Sequence, residues 1–190
     1  TTVSITLSAM TELTVTSLIV RGIVVVALVA ANAFFVAAEF ALVAARRTRI
    51  DAMVRRGDRK AKTAQAALQD LYRQLSAAQL GITLASVLLG YVSEDTVASL
   101  FRSTVMYLPP AVAFLGRASI ASVVAVGVIT FLHVVFGEQA PKSWAITYPE
   151  STSRWIAAPL LAFSWITRPL TNLLNSSAGF NAANTQLTQV

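Results

Sequence analysis

Three stretches of the chain are apolar for long enough that the distance between charges, rather than any alternation, defines the element. Between Arg21 and Arg46 lie 24 residues whose only charge is Glu39; Gln74 to Ser93 is 20 residues without charge, and Ala118 to Gly137 another 20. A helix needs about 20 mostly apolar residues to cross a bilayer. Each stretch therefore predicts a transmembrane helix, at about 18–45, 74–93 and 118–146. The first is too long and too far from the N-terminus to be a cleaved signal, so it is read as a retained helix. The connecting segment "RRTRIDAMVRRGDRKAKTAQAALQDLYRQ" carries apolar residues at Ile50, Met53, Val54, Ala61, Ala64, Leu68 and Leu71 and is interrupted by Gly57. That spacing predicts two short amphipathic helices lying near the membrane surface. In the connection 94–117, Pro109 and Pro110 forbid a continuous helix.

After Pro149 the pattern changes. "ESTSRWIAAPLLAFSWITRPLTNLL" is apolar but interrupted by Pro159 and Pro169, and the uncharged run between Arg154 and Arg168 is too short to span. With Trp155 and Trp165 at intervals, residues 151–175 read as an interfacial amphipathic helix rather than a fourth crossing. Residues 176–190 are a polar tail without periodicity. The expected fold is an all-α membrane protein, with three transmembrane helices in a domain over 1–150 and juxtamembrane and interfacial amphipathic helices beside them.

Composition agrees with a membrane protein: 55% of the residues are apolar and only 13% charged, against about a quarter charged in soluble domains. The absence of cysteine excludes disulfides and thiolate metal sites. The net charge of +6 is concentrated. Residues 46–73 hold Arg46, Arg47, Arg49, Arg55, Arg56, Arg59, Lys60, Lys62 and Arg73 against three aspartates, whereas 94–117 balances Glu94 and Asp95 with Arg102 and Arg117. By the bias of basic residues toward the cytoplasm, 46–73 is inside, 94–117 is external, the N-terminus is outside and the chain after Lys142 is inside. The basic segment then points to anionic lipid rather than nucleic acid as its partner.

Polar groups inside the apolar stretches carry the candidate chemistry. Ser76, Gln79, Thr83 and Ser86 share one helical face of the second stretch, and Asn32 and Glu39 share a face of the first. Small polar residues also serve helix packing, which suffices for Ser76 and Gln79. For Glu39 the alternative to a functional role is a salt bridge to a nearby arginine. In "FGEQAPKSWAI", Pro141 has no N–H, so the carbonyl of Gly137 loses its partner beside the carboxylate of Glu138. In a membrane such a carbonyl must be satisfied by something else. A carboxylate with a released carbonyl suits a hard cation, completed by neutral oxygens of Ser86, Thr83 and Asn32. The competing reading pairs Glu138 with Lys142 and leaves Pro141 as a kink. His133, a lone histidine, is read as packed or coupling rather than as a transition-metal ligand. No nucleophile-elbow or phosphate-loop motif is present, so nothing argues for an enzyme.

"NAFFVAAEFALVAARRTRID", "QLSAAQLGITLASVLLG" and "HVVFGEQAPKSWAI", in this order, resemble the transmembrane domain of the CorC and CNNM magnesium transporters, in its haemolysin-annotated bacterial branch. The resemblance covers about residues 20 to 150. It implies a homodimer in the bacterial inner membrane, with a juxtamembrane helical belt and Mg²⁺ in a cavity open to the cytoplasm. It further implies Na⁺-linked Mg²⁺ transport, usually export. It marks Gly137, Glu138, Pro141 and Lys142 as the third-helix element and Ser86 as the polar second-helix position. In the first helix Val36, Ala37, Ala38 and Glu39 stand where relatives often carry two serines before the glutamate, and Asn32 and Thr83 are the neutral oxygens available instead. Members of the family continue into cytosolic CBS domains, for which the residues after 170 leave no room, so an isolated membrane domain is expected. The rival functions are a dimerising membrane anchor or sensor and a transporter of another cation.

Overall fold

The computed structural model describes residues 2–105, 126–171 and 173, with the backbone alone described over 2–15, at 18 and over 94–105. Among these residues every regular element is helical. In chain order they are α1 (Thr2–Ala44), α2 (Arg47–Arg55), α3 (Arg59–Gln69) and α4 (Leu71–Val105), followed by α5 over 126–132. A π-wound segment (His133–Gln139), α6 (Ala140–Thr147) and α7 (Pro149–Ile166) complete the order.

Among the described residues two segments have the length and composition to cross a membrane, Ile19–Ala44 and Leu71–Ser93. They coincide with the first two expected spans. The third, 118–146, falls partly outside the described residues; its described part, from 126 onward, is helical but π-wound before Pro141. The connection expected over 94–117 begins later than its charges suggest, because α4 continues to Val105. No proline or glycine lies between Ser93 and Val105, and charge alone does not end a helix. The rest of that connection, with Pro109 and Pro110, and the polar tail 176–190 lie outside the described residues.

The chain divides into two compact units. The first comprises Thr1–Asn32 and Leu84–Gln139. Its apolar side chains point outward: Ile19, Ile23, Val26, Val87, Phe131 and Phe136 are exposed, while Asn32 is fully buried. So much contiguous apolar surface is untenable in water and suited to lipid.

The second unit comprises Ala33–Thr83 and Ala140–Val190. Its core is built mainly of alanine. Ala38, Ala41 and Leu42 of α1, Ile50 of α2, Ala64, Ala67 and Leu68 of α3, and Ile156, Ala157 and Leu160 of α7 form one buried cluster. Alanine keeps helices close, so α3 packs along both α2 and α7. The larger Ile50, fully buried, contributes about 1.5–3 kcal/mol of hydrophobic stabilisation. Between α2 and α3 the chain turns through Gly57, whose φ of 85° lies in the left-handed region where only glycine is unstrained. Asp58 then caps α3 by accepting hydrogen bonds from the backbone N–H groups of Lys60 (2.9 Å) and Ala61 (3.1 Å). A close helix crossing occurs at Gly81, where a Cβ would come within 2.5 Å of the Phe35 ring. That ring in turn meets Phe163 of α7, with centroids 4.7 Å apart.

Candidate functional site

The first unit holds a hydrogen-bonded cluster centred on Asn32. The side-chain Nδ2 of Asn32 donates to the carbonyl oxygen of Gly137 at 3.1 Å, and its Oδ1 accepts from the hydroxyl of Ser86 at 3.3 Å. Three helical segments therefore meet through one carboxamide that is wholly removed from solvent. The local cause lies in the backbone. Pro141 supplies no N–H to the carbonyl four residues earlier, and the chain from His133 to Gln139 is π-wound, a winding that shifts the carbonyls out of their α-helical pairing. Pro141 itself is the second residue of α6, which follows the π-wound segment without a break. Glycine is required at 137 because a Cβ there would lie 2.8 Å from Cδ2 of His133 and 3.4 Å from Nδ2 of Asn32.

Glu138 follows directly, with its side chain 41% exposed, and His133 Nε2 lies 3.8 Å from Glu138 Oε1. That distance is a charge-range contact rather than a hydrogen bond. The same nitrogen is buried without a hydrogen-bond partner. The cluster thus offers one carboxylate and three neutral oxygens from Asn32, Ser86 and Gly137. Among the described residues there is no group of three or more His, Cys, Asp or Glu side chains that could hold a metal. One carboxylate with neutral oxygens is a donor set of the kind that hard cations, rather than transition metals, prefer.

In the second unit, Glu39 accepts a long hydrogen bond of 3.5 Å from Nε2 of Gln79. Among the described residues it pairs with no arginine, so the salt bridge considered for it is replaced by a carboxamide contact. Gln79, read from sequence as a packing residue, is its partner. Thr83 is exposed, and its hydroxyl donates to the Gln79 carbonyl of its own helix at 2.9 Å. A threonine hydroxyl in a helix readily back-bonds in this way to the carbonyl four residues earlier. Lys142 likewise forms no ion pair among the described residues. Its Nζ lies over the ring of Phe40, 4.6 Å from the centroid, a cation–π contact. The expected pairing over four residues presumed α-helical winding from Glu138 to Lys142, and the π-wound backbone through Gln139 removes that premise.

Two features escaped the sequence reading. Asn32 acts as a donor to Gly137, not only as an oxygen, and the signal for it was the need to satisfy a proline-released carbonyl. The π winding had no separate signature beyond that same proline.

Curated bacterial proteins resemble this chain over most of its length. It is 43% identical over 164 residues to the UPF0053 protein YhdT of Bacillus subtilis (strain 168), covering 85% of this chain and 34% of that protein. With the UPF0053 protein YugS of the same organism it shares 39% over 165 residues, 86% of this chain and 38% of the relative. An uncharacterized protein of Mycobacterium tuberculosis (strain ATCC 25618 / H37Rv) is 40% identical over 153 residues, 80% of this chain and 42% of its own length. The chain thus spans between about a third and two-fifths of the relatives it matches. The family model described as the cyclin M transmembrane N-terminal domain, CNNM, matches residues 23–187. With both candidate spans inside or overlapping that match, this is a membrane protein, and the chain belongs to the CNNM transmembrane-domain family.

Proposed function

We propose that the chain is the cation-conducting membrane domain of a divalent-cation transporter, that its cargo is Mg²⁺, and that movement is linked to Na⁺ and directed outward. The observation that carries this reading is the buried Asn32–Ser86–Gly137 cluster beside Glu138, in a chain of the CNNM family. The buried carboxamide brings neutral oxygens from three helical segments together beside a carboxylate, a donor set of the kind hard cations prefer. Glu138 supplies the charge. Gly137 O, Asn32 Oδ1 and Ser86 Oγ offer the cation the lone pairs that their mutual hydrogen bonds leave free, and water keeps the remaining octahedral positions that Mg²⁺ surrenders reluctantly. With a single carboxylate the ion is held weakly enough to leave. His133, 3.8 Å from Glu138, tunes that carboxylate from outside the ligand set, and Glu39 with Gln79 forms a second polar pair that serves coupling. In this proposal the basic segment 46–73 faces the cytoplasm, the N-terminus is outside, and the protein is a homodimer in the bacterial inner membrane.

The decisive test is Mg²⁺ titration by calorimetry on the wild type and on Glu138→Gln, followed by flux in proteoliposomes with and without a Na⁺ gradient. Wild type is expected to bind saturably and Glu138→Gln to lose at least tenfold in affinity. Unchanged binding in Glu138→Gln removes Glu138 as ligand, and flux indifferent to Na⁺ removes the coupling.

A further inference from the structure

The nine basic residues of 46–73 do not act alike. Arg47 Nη2 donates to the Leu68 carbonyl at 2.8 Å, and Arg49 faces Glu150 at 3.8 Å. Lys60 Nζ sits 3.1 Å above the Trp155 ring, and Arg73 pairs with Asp70 at 3.0 Å. The three aspartates of the segment are also occupied: Asp51 accepts from Gln65 at 2.8 Å, Asp58 pairs with Arg154 at 2.8 Å, and Asp70 holds Arg73. What is left is Arg46, Arg55, Arg56, Arg59 and Lys62, all exposed, whose side chains have no acidic partner among the described residues. Four of these five surround the Gly57 turn at the tip of the α2–α3 hairpin.

Connectivity fixes where that tip can be. The hairpin leaves one candidate span at Ala44 and enters the next at Leu71. The nine residues of α2 extend about 14 Å, so the tip lies within about two screening lengths of the bilayer whichever way the hairpin leans. Trp155, 68% exposed and in contact with Lys60, favours the shallow orientation. It belongs to an exposed apolar face of α7 made by Trp155, Ala158, Pro159, Ala162, Trp165 and Ile166, while the opposite face is buried. Such a face, with tryptophan at each end, suits the headgroup–acyl boundary.

We propose that the α2–α3 hairpin binds anionic phospholipid headgroups of the leaflet at which α1 ends and α4 begins, through Arg55, Arg56, Arg59 and Lys62, with Trp155 seating the tip at headgroup depth. The proposal stands independently of the transport reading. Each basic residue near an anionic surface contributes about fivefold in affinity, so removal of four is expected to lower the preference at least tenfold.

The chain has three tryptophans, so W144F/W165F leaves Trp155 as the single fluorescent probe. The full chain in this background is reconstituted in phosphatidylcholine, and brominated phosphatidylglycerol or brominated phosphatidylcholine is titrated in. Quenching of Trp155 is expected to reach half its maximum at a mole fraction of the anionic lipid at least tenfold lower than in R55Q/R56Q/R59Q/K62Q. Quenching by the neutral brominated lipid should stay the same in both, which shows that Trp155 keeps its depth. R55K/R56K/R59K is expected to retain the preference, and salt to abolish it in the parent. Coincident curves in parent and glutamine variant overturn the proposal. So does absence of quenching by either lipid, and so does inorganic phosphate that displaces the anionic lipid at low concentration, which would make the patch a site for a soluble anion.

Discussion

Asp58 performs two tasks with its two carboxylate oxygens, and they can be separated. Oδ1 caps α3 through the N–H groups of Lys60 and Ala61, while Oδ2 lies 2.8 Å from Nη2 of Arg154, with the two side chains 25% and 31% exposed. Asp58→Ala removes both. Loss of an N-cap costs about 1 kcal/mol. A hydrogen bond between charged groups is worth about 1.5–3 kcal/mol, reduced to about 1 kcal/mol here by partial solvent screening. The expected loss is about 2 kcal/mol. Asp58→Asn keeps a good cap and forfeits only the charge, for about 1 kcal/mol, and Arg154→Gln should cost a similar amount. Hydrogen exchange of α3 amides, followed by mass spectrometry in detergent or nanodiscs, reads the opening free energy of that helix directly. The reasoning is refuted if Asp58→Asn is as damaging as Asp58→Ala, since the cap would then contribute nothing. It is also refuted if the Asp58→Asn and Arg154→Gln losses add in the double variant, since a real pair must show coupling.

Three further substitutions test the packing and the site. Gly81→Ala forces a methyl to within 2.5 Å of the Phe35 ring and should cost about 1–3 kcal/mol; Phe35→Leu should recover part of this, and a thermal melt without any recovery would contradict the close crossing. Asn32→Leu strands the Gly137 carbonyl inside the membrane segment, an expected loss of about 1–3 kcal/mol, and unchanged thermal stability would mean that the carbonyl has another partner. Gln74 is fully buried with neither amide atom hydrogen-bonded, so Gln74→Leu should stabilise the protein by about 1 kcal/mol or more; destabilisation in the same melt would show that the amide is satisfied after all.

The helical architecture was legible because its signals are local. Uninterrupted apolar runs marked the first two spans, and Gly57 marked the α2–α3 turn that its φ of 85° requires. The apolar spacing Ala61, Ala64, Leu68 identified the buried face of α3. What was not legible depended on partners distant in sequence or on backbone winding. Thr83 and Ser86 lie three residues apart on one helix, yet the Ser86 hydroxyl donates to Asn32 while the Thr83 hydroxyl donates to its own helix. Period alone cannot distinguish the two outcomes.

Pro141 shows where local reasoning stops. Its missing N–H requires that the Gly137 carbonyl find a donor elsewhere, and that much follows from elementary chemistry. Which donor it finds depends on the packing of α1 against the π-wound segment, where Asn32 is seated 105 residues away in sequence. The consequence for the site is specific. Gly137 O and Asn32 Oδ1 each accept one hydrogen bond, from Asn32 Nδ2 and from the Ser86 hydroxyl, and each keeps a second lone pair. In the proposed reading those remaining lone pairs are what the site offers a cation, so the carboxamide can tie the three helical segments together and still serve as a ligand.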